Sequence, residues 1–544
     1  MILKIFHKDN INFTPIVMDA LKKMKDGGII QFEKGEYHFY QEGSLKQFIA
    51  VSNNAACDKH IVFPIIDLNN VTIDGGGASF IFHEITFPFA VVESTNIELK
   101  NFSVDTGIAP IGKFRVGKIT EEGFYLEIDK NKSPYRIENG AVIFKRENGE
   151  RSGIDEKFGL LDTEHWSVQY LFTGDCRSSY DNLPAKFVLT DAEERNDGLF
   201  FKYRKSNIHP VRFSEGTMVS STLDGGRKTD VILLNSSKNV KIDNIIIRRG
   251  IGMGVIAQLT ENIEIKDFRT DESFHNEGVT LTADSLHFVN CSGKLEIHDS
   301  QISYTKDDAI NVHGMYTQIV SVKNDMITVR IGHQEQYFFN PYVENDIIDA
   351  VDTETLEYTG KARVLFAYIK ENGKEIEIKA ELISGKIYEG ELIENTKRMP
   401  DVHIHSNKFY HYPNVRISGG GNILIENNIF ERATSALIAK DLAKYWYESG
   451  RIKNLIFKNN RMKDCNALGG ETFILTSLDG MDRKNTPKIH ERIEISNNVF
   501  EGVKSKALIA SGVKELVVKG NIFLDSSEAE VDGFTCCLSS TQSK

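Results

Sequence analysis

The chain has 544 residues, 40% of them apolar and 26% charged, which is ordinary for a soluble globular protein large enough for several domains. Lys and Arg number 65 against 77 Asp and Glu, a net charge of −12 that argues against a nucleic acid partner and, mildly, against an anionic polysaccharide. No apolar run approaches the ~20 residues that cross a bilayer, so a membrane partner is not expected, and a neutral substrate fits the charge best.

The first nine residues, Met1 to Asp9, lack the apolar core of a secretory signal. The expectation is a cytoplasmic protein, or a secreted one whose signal lies outside this sequence. Thr14 to Lys25 then reads as an amphipathic helix, with Ile16, Val17, Leu21 and Met24 on one face, Thr14 as N-cap and Pro15 in the first turn. Gly27-Gly28 ends it, and a strand starts at Ile29.

A short phrase follows and recurs: polar residues, an apolar-polar alternation, then Asn-Asn or a relative, then an apolar residue. Asn96-Ile97-Glu98-Leu99-Lys100-Asn101-Phe102 and Asn454-Leu455-Ile456-Phe457-Lys458-Asn459-Asn460 are two of nine copies. Their first apolar residues are Val71, Ile97, Val240, Ile263, Leu295, Ile423, Leu455, Ile493 and Leu516, with spacings of 26, 143, 23, 32, 128, 32, 38 and 23. Period-two alternation marks a strand with one buried face, and repetition marks a solenoid whose units bury that face only by stacking. The fold expected is all-β, a right-handed parallel β-helix, with the two long spacings as insertions. The predicted organisation is a cap and first coils over 1–107, an inserted β-domain over 108–229, coils over 230–314, a second inserted β-domain over 315–401, and carboxyl-terminal coils over 402–544. Both insertions carry short strands split by turns such as Glu121-Glu122-Gly123 and Glu371-Asn372-Gly373, as small β-barrels or sandwiches do.

A second strand per coil follows each phrase, among them Gly254–Gln258, Val279–Asp284 and Ala309–His313. Its polar ends, with Gln258, Asp284 and His313 in one column, suggest the floor of a sugar-binding cleft. Asp307-Asp308 stands at the bend entering one such strand, and Asp284 lies 23 residues upstream, one coil earlier. Solenoid corners also use Asp for turn hydrogen bonds. Yet three acids crowded on adjacent coils raise one another's pKa values, so one stays protonated while others ionise. Glycoside hydrolysis needs that pair of states, with the acid and a base carboxylate about 6.5–9.5 Å apart if water attacks directly.

Asp307-Asp308-Ala309-Ile310-Asn311-Val312-His313-Gly314, with Asp284 and the Gly252-Met253-Gly254-Val255-Ile256-Ala257-Gln258 coil, resembles glycoside hydrolase family 110. These are α-1,3-galactosidases that remove terminal α-1,3-linked galactose from blood-group-B-type and linear glycans. The resemblance covers the whole chain and implies inversion, no metal or organic cofactor, and Asp284, Asp307 and Asp308 as the essential carboxylates. The arrangement is also similar to that of polygalacturonases, which implies Asp307 as the acid and Asp284 and Asp308 as the bases. Substrate contacts are expected from Gln258, His287, Asn311, His313 and Glu471, and a stacking platform from Trp166; for each, packing or a ladder position is the competing reading. Arg451 reads as a solvated strand start, and only Lys306 supplies positive charge near the acids. The alternatives are another β-helix hydrolase, polygalacturonase-like or xylosidase-like, and a non-catalytic carbohydrate-binding solenoid. A homodimer is possible on this sequence. Six cysteines show no zinc spacing and read as free thiols.

Overall fold

The computed structural model describes residues 1–524, apart from 108, 132, 139–140, 146–150, 154–157, 163–166, 174–186, 196–197, 204–213, 223–226, 276–277, 466–472, 476–486, 504–507 and 511. The repeat phrases are stacked parallel strands, in the order Asn69–Phe82, Thr95–Thr106, Lys238–Ile247, Glu261–Lys266, Ser292–His298, Asp401–His405, Gly420–Glu426, Ile452–Lys458, His490–Ser496 and Val513–Lys519. The chain is a parallel β-helix. One copy escapes the sequence reading: Asp401–His405 pairs Leu295↔Val402 on one side and Val402↔Ile423 on the other. It hides because histidines occupy its polar positions.

Register explains the alternation. Val71, Ile97, Val240, Ile263, Leu295, Val402, Ile423, Leu455 and Ile493 form one column through the solenoid, none more than 3% exposed. The Asn-Asn signature has two separate causes. Asn427, Asn459 and Asn497 take φ of 56–57°, a left-handed conformation that Asn tolerates better than other side-chain-bearing residues. The asparagine after each is buried and forms a ladder: Asn460 Oδ1 accepts from the Asn428 backbone N–H at 2.9 Å, and Asn498 Oδ1 from that of Asn460 at 2.9 Å. The Asn428 and Asn460 amides each also donate to carbonyls of their own turn and of the coil before, so protein groups close the corner.

The helix at the amino end runs Thr14–Lys22 and covers the first coil with Val17 and Leu21; Ile16 faces solvent. Its N-cap is Phe13 rather than Thr14, whose hydroxyl donates to the Tyr40 carbonyl while its N–H binds Asn12 Oδ1. In the first insertion, Ile111–Ile119, Gly123–Glu127, Phe158–Asp162, Ser167–Thr173, Phe187–Arg195, Gly198–Tyr203 and Met218–Thr222 close into a barrel. In the second, Met326–Ile331, Glu375–Gly385, Tyr358–Ile369, Ile347–Val351 and Leu392–Asn395 pair in that order, antiparallel, and both ends of the series pair with Ile310–Lys323. That strand leaves the β-helix and enters the second barrel without a break. Arg451 is not solvated as the sequence suggested. Its guanidinium lies 3.7 Å from the Tyr358 ring centroid and pairs with buried Glu394, which fastens the second barrel to the coils. Cys57, Cys291 and Cys465 are free thiols; the other three cysteines lie outside the described residues.

Replacing Asn460 by Ala strands the Asn428 N–H and two carbonyls inside a buried corner. The expected loss is about 2–4 kcal/mol in urea unfolding. Lys241→Ala, which removes only surface ion pairs to Asp243 and Glu264, is expected to cost under ~1 kcal/mol. Comparable losses would contradict the ladder as a principal element of the fold.

Candidate active site

The second strands stack as Phe87–Val92, Ile232–Asn235, Val255–Gln258, Leu286–Val289 and Ile310–Lys323. Asp284 precedes its strand instead of ending one, since the strand on that coil begins at Leu286 and pairs Leu286↔Ile310. Asp284 therefore occupies the same corner as Asp308, one coil apart. Backbone bonds hold that level: Gly254 N–H donates to the Asp284 carbonyl at 3.0 Å and Ser285 N–H to the Asp308 carbonyl at 2.9 Å.

One oxygen from each of Asp284, Asp307 and Asp308 lies within 4.8 Å of the others. This is tighter than the separation expected from the sequence, because adjacent coils are only ~4.8 Å apart and Asp307 and Asp308 are consecutive. The three differ in access: the Asp307 side chain is 46% exposed, those of Asp284 and Asp308 only 5% and 6%. Asp307 Oδ2 accepts from Arg227 at 2.9 Å. Asp308 accepts from Asn414 Nδ2 at 2.9 Å and from Arg416 Nε at 3.3 Å. Burial pushes the Asp284 carboxyl well above the ordinary carboxylate range, with Asp307 adding to the shift and Arg227 opposing it. Burial does the same to Asp308, against the opposing charge of Arg416.

His287 and His313 join Asp284 in a chain of three hydrogen bonds. His287 Nδ1 lies 2.6 Å from Asp284 Oδ2, the two Nε2 atoms are 2.9 Å apart, and His313 Nδ1 is 2.6 Å from the Gly314 carbonyl. The carbonyl can only accept, so His313 carries its proton on Nδ1. Burial lowers both imidazoles to about 4, which makes them neutral near neutrality. Neutral His313 then accepts at Nε2, His287 donates from Nε2 and is bare at Nδ1, and the third bond needs a proton on Asp284. The chain of bonds thus keeps one proton at the Asp284–His287 contact. Beyond it stands buried Glu448, 3.7 Å from His313 Nε2; burial would raise its carboxyl, but the Arg416 guanidinium and the hydrogen bond from Asn53 help to hold it below the ordinary value.

The substrate contacts anticipated from sequence divide sharply. Gln258 is buried and saturated: its Oε1 accepts from Ser52 N–H at 2.9 Å, and its Nε2 donates to the Ala50 carbonyl and to Asn235 Oδ1. It ties down the segment carrying Asn53, whose carbonyl meets Arg227 and whose amide donates to Glu448, so it supports the site without facing it. His287 and His313 use both ring nitrogens internally and position Asp284. Asn311 is different. Its Oδ1 and the Nη1 of Arg416, its register neighbour, are buried without a hydrogen-bond partner among the described residues. Unpaired buried polar atoms of this kind are what the hydroxyls of a ligand would satisfy. Trp166 and Glu471 lie outside the described residues.

Five residues near the triad were missed. Arg227, Asn414, Arg416, Trp446 and Glu448 come from distant stretches, so Lys306 is not the sole positive neighbour. Asn414-Val415-Arg416-Ile417 does alternate at period two, which could have marked its polar residues as lining a face. Nothing local announces Arg227 or Glu448. Trp446 is half-buried, with its ring 5.5 Å from the Arg227 guanidinium and its carbonyl held by Gln336 Nε2 at 2.7 Å.

Long-range ¹H–¹⁵N spectra should show His313 as the Nδ1–H tautomer and His287 as the Nε2–H tautomer, both still neutral around pH 5.5, where an ordinary histidine is mostly charged. Since each value is lowered to about 4, protonation is expected only below that. An imidazolium signature from either ring around pH 5.5 would break the proton count.

No family model matches the chain. Alpha-1,3-galactosidase A of Shewanella woodyi is 25% identical over 523 residues, 94% of this chain and 83% of that protein. Alpha-1,3-galactosidase B of Bacteroides thetaiotaomicron is 27% identical over 541 residues, covering 94% and 84%. Among solved structures, the Yersinia enterocolitica family 28 exopolygalacturonase superposes with a TM-score of 0.40 at 12% identity, over 99% of this chain and 77% of that one. The polygalacturonase from Erwinia carotovora ssp. carotovora gives 0.41 at 9%, over 97% and 96%. The chain is therefore related, over nearly all of its length, to the α-1,3-galactosidases, the enzymes of glycoside hydrolase family 110 that its aspartates resemble.

Proposed function

We propose that this chain is a glycoside hydrolase, and specifically an exo-acting, inverting α-1,3-galactosidase that releases terminal α-1,3-linked galactose from blood-group-B-type or linear α-galactosyl glycans. The observation that carries the hydrolase reading is the meeting of Asp284, Asp307 and Asp308, with oxygens within 4.8 Å, at one corner of a β-helix; inversion rests instead on the family resemblance, since this spacing is shorter than the about 6.5–9.5 Å of an ordinary inverting pair. The names of the relatives supply the sugar and the linkage.

Asp307 is assigned as proton donor because it alone of the three opens to solvent, where the leaving group of an exo-acting enzyme must lie. On substrate binding it gives up its contact with Arg227, takes a proton from solvent and turns to the glycosidic oxygen. As the bond from that oxygen to the anomeric carbon breaks, Asp307 gives the oxygen its proton. Water attacks the same carbon from the opposite face, and its proton passes to Asp308, since Asp284 already carries the resident proton. The products are galactose and the shortened glycan, and exchange with solvent returns the proton to Asp307. Asp284 and Asp308 are gripped by His287, Asn414 and Arg416, which suits groups that hold and activate a water better than a nucleophile that must move onto carbon. Asn311 Oδ1 and Arg416 Nη1 supply an acceptor and a donor to sugar hydroxyls, and Trp446 offers an apolar face. The net charge of −12 favours a neutral sugar over a uronic acid.

Incubation with linear and branched α-1,3-galactosyl oligosaccharides, followed by proton NMR, should show free galactose appearing first as the β-anomer. Initial α-galactose would refute inversion; cleavage of a galacturonide in preference to any galactoside would favour the polygalacturonase-like alternative.

Asp307→Asn should lower turnover of a natural disaccharide by ~10²–10⁴-fold and spare a substrate whose leaving group needs no protonation. Asp308→Asn should impair both alike. The resident proton at Asp284–His287 supports a second reading, with Asp284 as donor. If Asp284→Asn is the variant that spares the activated substrate, that reading replaces the first.

A further inference from the structure

Away from the aspartates, on the outer face of the solenoid, the strands Ser292–His298 and Asp401–His405 pair Glu296↔His403 and His298↔His405. Residues two apart share a strand face, so these four side chains form a square across two coils. Glu296 Oε1 is 3.6 Å from His403 Nδ1 and 3.6 Å from His405 Nε2, and the three residues offer donor atoms within 4.8 Å of one another. Such contacts are too long for good hydrogen bonds. They are close to the spacing of co-ligands: two groups bound at about 2.0–2.1 Å in a tetrahedral zinc site are about 3.3–3.4 Å apart.

We propose that Glu296, His403 and His405 bind a divalent transition-metal ion of zinc type, which clips together the two coils flanking the second β-domain. The remaining ring nitrogens are already oriented, as metal-bound imidazoles require. His403 Nε2 is 3.2 Å from Glu426 Oε1, and His405 Nδ1 is 3.2 Å from Ser406 Oγ. Lys294 Nζ holds the other oxygen of Glu296 at 2.6 Å, which turns Oε1 toward the imidazoles while its charge opposes a cation. His298 stacks on His405 with centroids 5.0 Å apart and is engaged by Asp299 and Glu264, so it shields the site and leaves the fourth position to water. The ion would bridge residues on either side of the chain's departure into the second barrel. It would also read register, because a one-residue slip turns both histidines to the opposite face. The aspartate triad gathers metal-capable oxygens too, but Arg227 and Arg416 already neutralise it and would have to be displaced.

The test uses the full chain, stripped with EDTA, desalted and titrated with Zn²⁺ near neutral pH. One equivalent should bind with a dissociation constant of about 1 μM or below, and the thermal midpoint should rise by a few degrees. Cobalt(II) should give the visible spectrum of a tetrahedral site. His403→Ala and His405→Ala should each weaken zinc binding by about 100-fold or more and Glu426→Gln by about 10-fold, with unchanged circular dichroism, and Lys294→Met should tighten it. Binding that survives the double histidine variant, or that needs millimolar zinc, overturns the proposal. So does binding lost in Asp307→Asn and Asp308→Asn, which would move the ion to the triad.

Discussion

Everything distinctive about this molecule hangs on the in-register hydrogen bonding between successive coils. A parallel ladder allows each strand one level and one facing, because a slip by one residue inverts every side chain. The Gly254, Ser285 and Ala309 amides bond to the carbonyls of Asp284, Asp308 and Asn414 at 2.8–3.0 Å, and those bonds set the carboxylates and their supports at consecutive levels. The distance between Asp284 and Asp308 is thus a property of the backbone. The site inherits its precision from the stack.

The same stacking brings acids together where water is scarce, and this must be offset. Burying an unpaired charge costs several kcal/mol, and like charges add to it. The structure answers in two ways. Arg227, Arg416 and Asn414 neutralise or solvate Asp307 and Asp308, and the histidine chain keeps a proton beside Asp284. The arrangement leaves the triad partly protonated and partly ionised near neutrality, the condition that acid–base chemistry at a glycosidic bond requires.

The inserted barrels do more than decorate the solenoid. Arg227 lies on the return from the first, and Gln336 of the second holds the Trp446 carbonyl. The strand Ile310–Lys323 carries Asn311 and His313 at its start and becomes a wall of the second barrel within the same run of hydrogen bonds. A movement of that barrel would be felt at Asp307-Asp308, which sit at the base of the strand.

Much of this was readable in one dimension. Alternation at period two, Asn-Asn corners and a recurring interval are local, so they named the β-helix and brought Asp284 within one coil of Asp307-Asp308. The reading failed where a residue's meaning depends on a partner far away in sequence. The Val402 coil looked unlike its fellows because its polar positions are histidines, and those histidines acquire a possible role only opposite Glu296. Gln258, His287 and His313 were expected to meet substrate, but tertiary packing turned them to the Asn53 segment and to Asp284. Arg227, Arg416, Trp446 and Glu448 carry no local signal of their purpose; only the folding of both insertions and the return of the chain delivers them. The sequence by itself determined the repeat and its acidic corner, because both are written within a coil's length. The tertiary structure decided which charges balance those acids and which polar atoms remain open to a sugar, because such partnerships are made between coils and across whole domains.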